Sequence, residues 1–288
     1  MKSIVINIAD YRLRLFPVPG YSLELEEGWH SFIDQNHKDT EDVVIHTRVG
    51  IPKGLMGYSK PIFEAHNEQQ KFYSVYRHGE YLKFIIYSQE NQKEIQQVAI
   101  CGVNFKRWEI YCQPTDDKRV IPLQYPMGPL LMYYLTVNSE AIMIHASGVN
   151  DQEKGRIFTG FSGAGKSTIS GLWHNAGSSI INDDRLIIRR QAYGFYIHNT
   201  PMYYEDSPKR VQLHSAYLIS HSPSNTINKI DGALAVTRIL AHCIQNNYDK
   251  KYIANHLNLL TNLCEHIKVY ELGFVPDGSV VDFVREND

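Results

Sequence analysis

The sequence predicts an α/β protein in which a β-rich N-terminal domain, residues 1–120, precedes an α/β domain, residues 121–288. Three observations favour this fold class. Short runs rich in β-branched and aromatic residues recur between turn signals in the first domain. Strand-like and helix-like segments alternate through the second. A glycine-rich loop, residues 160–167, stands between one such strand and the next helix.

The N-terminal domain is expected to be an antiparallel β domain with a helix near residues 28–37. Its candidate strands are "YRLRLFPV", "DVVIHTRVGI", "KFYSVYRHGEYLKFIIYS" and "RWEIYC". The third contains two alternating runs on either side of Gly79, a pattern that predicts a hairpin with its turn at that glycine.

The C-terminal domain begins where three prolines, Pro122, Pro126 and Pro129, interrupt the chain before a helix-like apolar run that ends near Val137. The strands predicted after it are "AIMIHASGV", "GRIFTG", "SIIN", "RLIIRR", "GFYIHN", "AYLIS" and "IKVYEL". The helices predicted are residues 166–175, 232–246 and 249–263, and a last one after Pro276. Alternation of this kind indicates a sheet covered by helices.

Composition excludes several classes of protein. The chain has 288 residues, 43% hydrophobic and 21% charged, with a net charge of -2, which is typical of a globular protein. We expect no nucleic-acid partner, because Lys and Arg are not clustered. The opening "MKSIVINIADYRLRLF" is too charged for a signal peptide or a span, so a cytoplasmic protein with no membrane partner is expected. The four cysteines lack CxxC spacing, which argues against zinc and redox sites.

The segment "GFSGAGKS", residues 160–167, matches the phosphate-binding loop (P-loop) pattern GxxxxGK[ST] in full. A strand-like "RIFT" precedes it and a helix-compatible "KSTISGLWHNA" follows. The bare pattern is expected by chance in about one chain in a hundred of this length. The predicted nucleotide-binding residues are Gly160, Phe161, Ser162, Gly163, Ala164, Gly165, Lys166, Ser167 and Thr168.

The residue types explain the chemistry expected of this loop. Glycines allow backbone conformations in which successive N–H groups converge on phosphate oxygens at the positive end of a helix. Lys166 adds a full charge for the β- and γ-phosphates, and Ser167 offers a hydroxyl to the accompanying Mg²⁺. ATP and Mg²⁺ are therefore the predicted cofactors.

Two further features carry candidate groups. Asp183 and Asp184 follow the strand "SIIN", where a carboxylate can bind Mg²⁺ or accept a proton from an attacking hydroxyl. Such a pair alone is more often a turn, but its place after a P-loop favours function. His145 ends the strand before the P-loop strand, and a lone histidine there is more often structural.

Together these residues resemble the HPr serine kinase/phosphorylase catalytic domain, which shares a P-loop core with ATP-dependent phosphoenolpyruvate carboxykinase. That family has a histidine at a strand end, a GxSGxGKS loop and an Asp-Asp pair after the next strand. Here 21 residues separate His145 from Lys166 and 17 separate Lys166 from Asp183, as in the family. The resemblance covers residues 142–190 specifically and the chain to about residue 275 more weakly.

The resemblance implies a carboxykinase-like P-loop fold for the C-terminal domain and assigns roles to its residues. Lys166 and Ser167 would contact the phosphates and Mg²⁺, Asp183 would be the base toward the acceptor hydroxyl, and Asp184 would be an acidic group near the metal. His145 would lie beside the phosphates and Asp183 and tune their charge. The implied catalytic residues are Asp183, His145 and Lys166, and the implied metal ligands are Ser167, Asp184 and Asp183. Homo-oligomers are common among such proteins.

The chain departs from the family after the aspartates. The segments "HNTPMYYEDSPKRVQLHSAYLISHSP" and "NTINKIDGALAVTRIL" match neither the family's acidic, arginine-containing stretch nor its basic proline-glycine turn. HPr as the substrate and a phosphorylase activity are therefore not predicted. Glu205 and Asp206, with Lys209 and Arg210, fit either a substrate-facing loop or a solvated charged turn.

The leading hypothesis is an ATP- and Mg²⁺-dependent kinase that phosphorylates a hydroxyl, serine being favoured, in a small molecule, peptide or protein. One alternative is a nucleotide-binding regulatory module without transfer activity. A less favoured one is a carboxykinase-type enzyme acting on oxaloacetate, because the chain is short and offers no residues that match that enzyme's Mn²⁺ and carboxylate sites. A transporter-type ATPase is not favoured, because no LSGGQ-like segment is present.

Overall fold

The protein is a mixed α/β chain with several β-sheets, in agreement with the predicted class. It divides into two compact units, Met1–Leu135 and Thr136–Asp288, whereas the sequence places the domain division at residues 120 and 121, which stays a prediction. Within the described residues no helix is long and apolar enough to cross a membrane. The computed structural model describes residues 2–35, 41–52, 54, 60–67, 70–91, 94–201, 209–244 and 248–288.

The first unit is built around one large sheet with the strand order β1-β2-β4-β9-β8-β7-β6-β5, and a short parallel pair, β3 and β10, lies outside it. The strands are β1 (Ile4–Ile8), β2 (Tyr11–Phe16), β3 (Ser22–Leu23), β4 (Val43–Val49), β5 (Phe63–Asn67), β6 (Gln70–His78), β7 (Tyr81–Tyr87), β8 (Ile95–Gly102), β9 (Arg107–Cys112) and β10 (Arg119–Val120).

The hairpin predicted around Gly79 is confirmed. Strands β6 and β7 are antiparallel, with His78 opposite Tyr81, and Gly79 takes a φ of +57° in the turn between them. The prediction of a wholly antiparallel domain is wrong, because β4 pairs in parallel with both β2 and β9. Long connections join these strands instead of tight turns, and only such connections allow parallel pairing. The helix predicted near residues 28–37 is a 3-10 helix, Glu27–Phe32.

The core of the first unit contains an aromatic cluster. Phe84 stacks on Trp108 with ring centroids 5.5 Å apart, and Tyr134 meets Phe84 edge-on at 4.9 Å. All three residues are fully buried. Each buried large side chain contributes about 1.5–3 kcal/mol of hydrophobic free energy. The β-branched and aromatic runs that predicted strands in this part of the chain also fill its core.

The second unit combines one sheet with helices on both faces. Helix α1 (Met127–Val137) lies mostly in the first unit and ends in the second, whose own helices are α2 (Lys166–Asn175), α3 (Gly232–Leu240), α4 (Lys250–His266) and α5 (Ser279–Asn287). Its strands are β11 (Ala141–His145), β12 (Ser147–Asp151), β13 (Lys154–Thr159), β14 (Ser179–Asn182), β15 (Arg185–Gln191), β16 (Gly194–Asn199), β17 (Arg210–His221), β18 (Thr226–Ile230) and β19 (Lys268–Phe274).

The strand order is β11-β15-β16-β17-β13-β12-β14, with β19 added to β17 and β18 to β19. Strand β17 is parallel to β13 and β19, and β14 and β13 are both antiparallel to β12. Strands β13, β14, β17 and β19 therefore run in one direction and end at the same edge of the sheet. This edge receives the P-loop after β13 and the Asp-Asp pair after β14.

Three predicted elements differ from the structure. "AIMIHASGV" forms two strands, β11 and β12, because the chain leaves the β15 side of the sheet at Ala146 and joins the β13 side. "AYLIS" is part of the longer β17. The helix predicted over residues 232–246 ends at Leu240, because the chain beyond it forms a β-bridge between Cys243 and Ile144 of β11.

Alternating side chains divide the core of the second unit into two layers. Ile157 and Ala216 belong to a cluster with residues of α3 and α4, whereas Phe158 and Tyr217, their neighbours along the strands, belong to a cluster with residues of α2 and α5. Successive strand residues point to opposite faces of a sheet. Because both faces of the sheet are buried, its strands are expected to be apolar along their length. Polar side chains that take part in binding or catalysis are therefore expected at the strand ends.

His256 in α4 should make the stability of the protein depend on pH. Its side chain is buried, and burial lowers its pKa to about 4 from an ordinary 6.5. Between pH 6.5 and pH 4 His256 is protonated in the unfolded chain but neutral in the folded chain, so protonation favours unfolding. The full stability is therefore present above pH 6.5 and is lost progressively as the pH falls toward 4. The loss should be about 3 kcal/mol.

Urea unfolding of the wild type and of His256→Gln between pH 7 and pH 4 measures this loss. The unfolding free energy of the wild type should fall more steeply than that of the variant over the acidic half of the range. Other histidines contribute to both curves and cancel in the difference. Parallel curves would show that His256 is not the group responsible.

Candidate active site

Residues 160–165 form a loop between the end of β13 and the start of α2, as the P-loop pattern predicts. Two of its glycines have positive φ, +80° at Gly163 and +94° at Gly165, where a Cβ is disfavoured. A Cβ on Gly165 would also lie 2.8 Å from Cζ of Phe274. The loop can therefore turn sharply only with glycine at this position, and the turn leads directly into the N-terminus of α2. The N–H groups of a first helical turn lack intrahelical partners and attract anions.

Lys166 is folded against this loop. Its side chain is buried, and Nζ donates hydrogen bonds to the carbonyl oxygens of Gly160, at 3.0 Å, and Phe161, at 3.3 Å. Burial lowers the pKa of Lys166, and the nearby charge of Asp184 opposes this effect. An ammonium group has three donors, so Lys166 can bind phosphate oxygens from a position that the loop defines.

The remaining loop residues differ in exposure. Ser162, Gly163, Ser167 and Thr168 are exposed, and so is Phe161, whose side chain is 75% exposed. A phosphate chain approaching α2 would meet them before reaching the core. Ala164 instead packs against the buried cluster beneath α2 and joins the loop to the fold.

The Asp-Asp pair lies in a tight turn between β14 and β15, held by Asn182. Oδ1 of Asn182 accepts hydrogen bonds from the backbone N–H groups of Asp184, at 2.9 Å, and Arg185, at 3.1 Å. Its Nδ2 donates to the carbonyl oxygen of Thr200 at 3.3 Å, and the residue is buried. Asparagine side chains favour such turns. Asn182 is not among the site residues predicted from the sequence, although "NDD" after a strand carries this signal.

Asp184 lies within hydrogen-bonding distance of His145, with 3.2 Å between Oδ1 and Nδ1. Burial raises the pKa of Asp184, but the hydrogen bond from His145 and the charges of Arg185, His145 and Lys166 outweigh it, and the net pKa is below the ordinary value. Asp184 is therefore ionised at neutral pH. Its other oxygen, Oδ2, is buried, accepts no hydrogen bond from the described residues and lies 3.6 Å from Nε of Arg185.

Hydrogen bonds to backbone carbonyl oxygens bring His145, Asp183 and Asp184 to one place. The N–H of Ala146 donates to the carbonyl oxygen of Asp184 at 3.1 Å, and Oγ of Ser147 donates to that of Asp183 at 3.3 Å. Thr159, the residue before the P-loop, donates from Oγ1 to the carbonyl oxygen of His145 at 2.8 Å. The ends of β11, β13 and β14 are thus joined at this edge.

The described residues do not provide a ready-made metal site. In the described part of the chain no three His, Cys, Asp or Glu side chains are grouped to hold an ion. Asp183 is half-buried in its turn, and Ser167 lies on the first turn of α2. A cation bound here would need oxygen atoms from the nucleotide or water in addition to those of the protein.

Three residues at the loop were not predicted from the sequence. His221, at the end of β17, has Nε2 within 3.3 Å of the carbonyl oxygen of Gly163. Phe274, at the end of β19, lies against Gly165. The ring of His242 meets that of Phe161 edge-on with centroids 5.3 Å apart. Only the pairing of distant strands brings these residues to the P-loop, and no local signal marks them.

The charged segment after β16 is described only in part. Glu205 and Asp206 lie outside the described residues. Lys209 donates from Nζ to the carbonyl oxygen of Ile180 at 2.9 Å, and the guanidinium of Arg210 lies 5.6 Å from the ring centroid of Tyr196. The side chains of Lys209 and Arg210 are thus both held against the sheet.

Comparison with known proteins does not identify a family for this chain. No family model and no curated protein matches the chain. Among solved structures, it is similar to the Hpr(Ser) kinase/phosphatase from Coxiella burnetii at 11% sequence identity and a TM-score of 0.29, over 50% of this chain and 97% of that one. A likeness this weak leaves the function to be judged from the site itself.

Proposed function

We propose that this protein is an ATP- and Mg²⁺-dependent kinase that transfers the γ-phosphoryl group to a hydroxyl. One observation carries the proposal: a buried lysine in a P-loop and an ionised aspartate paired with a histidine lie at the same edge of one sheet, close enough for their charges to interact. A phosphate-binding site alone would fit many functions. The acidic turn beside it supplies the proton acceptor that transfer to a hydroxyl requires.

The proposed reaction is an in-line displacement. The hydroxyl oxygen bonds to the γ-phosphorus while the bond from that phosphorus to the β–γ bridging oxygen breaks, and ADP leaves. Asp183 takes the hydroxyl proton, and Lys166 neutralises charge on the transferred group. The turn that Asn182 holds fixes the backbone of Asp183, which restricts where its carboxylate can reach.

The residues present fit Mg²⁺. Asp184 is ionised, and its Oδ2 accepts no hydrogen bond from the described residues and has Nε of Arg185 3.6 Å away, so a hard cation would compete with Arg185 for this oxygen. We propose Ser167, Asp184 and Asp183 as its protein ligands. Mg²⁺ prefers oxygen ligands, keeps several waters and, when bound, neutralises charge on the nucleotide phosphates.

The acceptor is proposed to be a hydroxyl, with serine favoured, on a small molecule, a peptide or a protein. We also propose that the second unit has a carboxykinase-like P-loop fold. Its support is the parallel direction of β13, β17 and β19, with the P-loop at their common end and helices on both faces.

The test is to incubate the protein with γ-labelled ATP, Mg²⁺ and three acceptor panels: free hydroxy amino acids, other metabolites, and proteins from a cell extract. Label should enter one panel, Lys166→Ala should abolish transfer, and Lys229→Ala, at an exposed lysine of β18, should not. Label in no panel would refute the kinase. If the protein then still bound Mg–ATP, a nucleotide-binding regulatory module would be the correct function.

A further inference from the structure

A second histidine lies beside the P-loop, on a segment far from it in sequence. The ring of His242 meets the ring of Phe161 at an interplanar angle of 66°. Phe161 supplies one of the two carbonyl oxygens to which Lys166 donates. Of the described residues, His242 is the only one in ring contact with Phe161, whose side chain is otherwise largely exposed. The imidazole therefore packs against an exposed loop residue whose carbonyl oxygen helps to position the lysine. We call this contact between the rings of His242 and Phe161 the brace.

The backbone of His242 is itself fixed to the other half of the site. Its carbonyl oxygen accepts a hydrogen bond from the N–H of His145 at 2.9 Å. Cys243 forms an antiparallel β-bridge with Ile144, and the N–H of Ile244 donates to the carbonyl oxygen of Met143 at 2.8 Å. The segment after α3 thus pairs with the end of β11. His242 connects the strand that carries His145 to the loop that carries Lys166.

We infer that His242 is a positioning residue of the phosphoryl-transfer site, whose ring holds Phe161 and, through Phe161, the ammonium group of Lys166 at the γ-phosphate end of the loop. The inference rests on the proposed function for the identity of the ligand. The P-loop lysine is the side chain that reaches the β- and γ-phosphates, whereas loop N–H groups bind nearer the α- and β-phosphates. Loss of the brace should therefore weaken recognition of the γ-phosphate more than that of the rest of the nucleotide.

The charged surroundings of His242 are consistent with this role. Burial, followed by the charges of Lys166 from α2 and His145 from β11, lowers the pKa of His242, and Asp184 lies beside both of these groups. The imidazole is therefore neutral at neutral pH. A neutral ring can pack against Phe161 without adding a charge that would compete with Lys166 for phosphate.

The experiment compares affinities for Mg–AMP-PNP, a non-hydrolysable ATP analogue, and Mg–ADP by isothermal titration calorimetry, which needs no acceptor. His242→Ala should lower the ratio of the two affinities about three- to tenfold, the range expected for one aromatic contact. Phe161→Ala should do the same, and the double variant should show no further fall. His242→Phe, which keeps a ring at this position, should stay within about twofold of the wild type.

His266→Ala is the matched control. His266 meets Phe195 edge-on with centroids 5.9 Å apart at 67°, a contact of the same kind between α4 and β16. Its loss should leave the affinity ratio within about twofold. If His242→Ala does not fold, Phe161→Ala and His242→Phe still test the brace. Phe161 is exposed, so its replacement removes little buried surface, and His242→Phe keeps an aromatic ring at position 242.

Each outcome decides the inference. An unchanged ratio in His242→Ala or Phe161→Ala, additive effects in the double variant, or a failure of His242→Phe to preserve the ratio would overturn it. A lowered ratio in a protein that transfers no label would refute the kinase and leave the brace standing. A wild-type protein that binds neither nucleotide would refute both.

Discussion

Replacing Asp183 by asparagine is expected to lower the rate of phosphoryl transfer about a hundred- to ten-thousandfold, the range for loss of a general base. Affinity for Mg–ATP should stay within about threefold, because asparagine keeps a side-chain oxygen for Mg²⁺ but cannot accept the acceptor's proton in the transition state. Asparagine has nearly the shape of aspartate and leaves the hydrogen bond from Ser147 to the backbone of Asp183 in place. Single-turnover transfer and calorimetric nucleotide binding, measured on the same samples, separate the two effects.

Asp282→Asn is the control for this prediction. Asp282 lies on α5 with a side chain 80% exposed, so its replacement removes the same charge from the chain away from the site. It should change neither transfer nor binding. Transfer that survives Asp183→Asn would show that Asp183 is not the base. An equal loss of transfer and of Mg–ATP affinity would show that Asp183 acts as a metal ligand and not as the base.

The largest effect on stability is expected from Arg156→Met. The guanidinium of Arg156 is 3% exposed and donates to Oδ2 of Asp151 at 3.1 Å and, from Nε, to Oδ2 of Asp288 at 3.1 Å. It also lies 5.1 Å from the ring centroid of the buried Trp173. Methionine matches its apolar length but removes the cation that the two carboxylates share. Asp151 keeps Arg285 at 2.7 Å, whereas the remaining ion pair of the buried Asp288 among the described residues is with His214 at 3.9 Å. The free energy of unfolding should fall by about 3–5 kcal/mol.

Urea unfolding monitored by circular dichroism measures this loss, with Arg190→Met as the control. Arg190 forms an exposed ion pair with Glu140 at 3.1 Å, so its loss should cost at most about 1 kcal/mol. Adding Asp288→Asn to Arg156→Met should restore about 1–2 kcal/mol, because one uncompensated buried charge is removed. Equal losses in Arg156→Met and Arg190→Met, or no recovery in the double variant, would contradict a charge-based explanation.

The order of strand, loop and helix around residues 160–165 could be predicted from the sequence because its signals are local. The glycines at positive φ, the strand before them and the helix that begins at Lys166 all belong to a few consecutive residues. Backbone strain and helix initiation depend on nearest neighbours, so a single sequence carries them. The two-run pattern around Gly79 identified a hairpin for the same reason.

The residues around the loop could not be predicted in this way. His242, His221 and Phe274 reach it through the register of strands paired across long connections. "AIMIHASGV" is mostly apolar and contains neither proline nor a charged Asp, Glu, Lys or Arg, although the chain changes partners at Ala146, because both strands are buried. Hydrophobicity reports burial and does not report which strand lies alongside. The parallel pairing of β4 was missed for that reason as well.

The position of Ala146 has a mechanical consequence. Strands β11 and β15 lie on one side of the sheet and β12 and β14 on the other, so the chain crosses between the sides at Ala146 and again at the Asp-Asp pair. The hydrogen bond from Ala146 to Asp184 ties the two crossings together. Thr159, at the end of β13, is hydrogen-bonded to the carbonyl oxygen of His145, so the strand that leads into the P-loop is tied to the same point. A substitution that shifts the backbone at Ala146 would therefore displace His145, the aspartates and the start of the P-loop together.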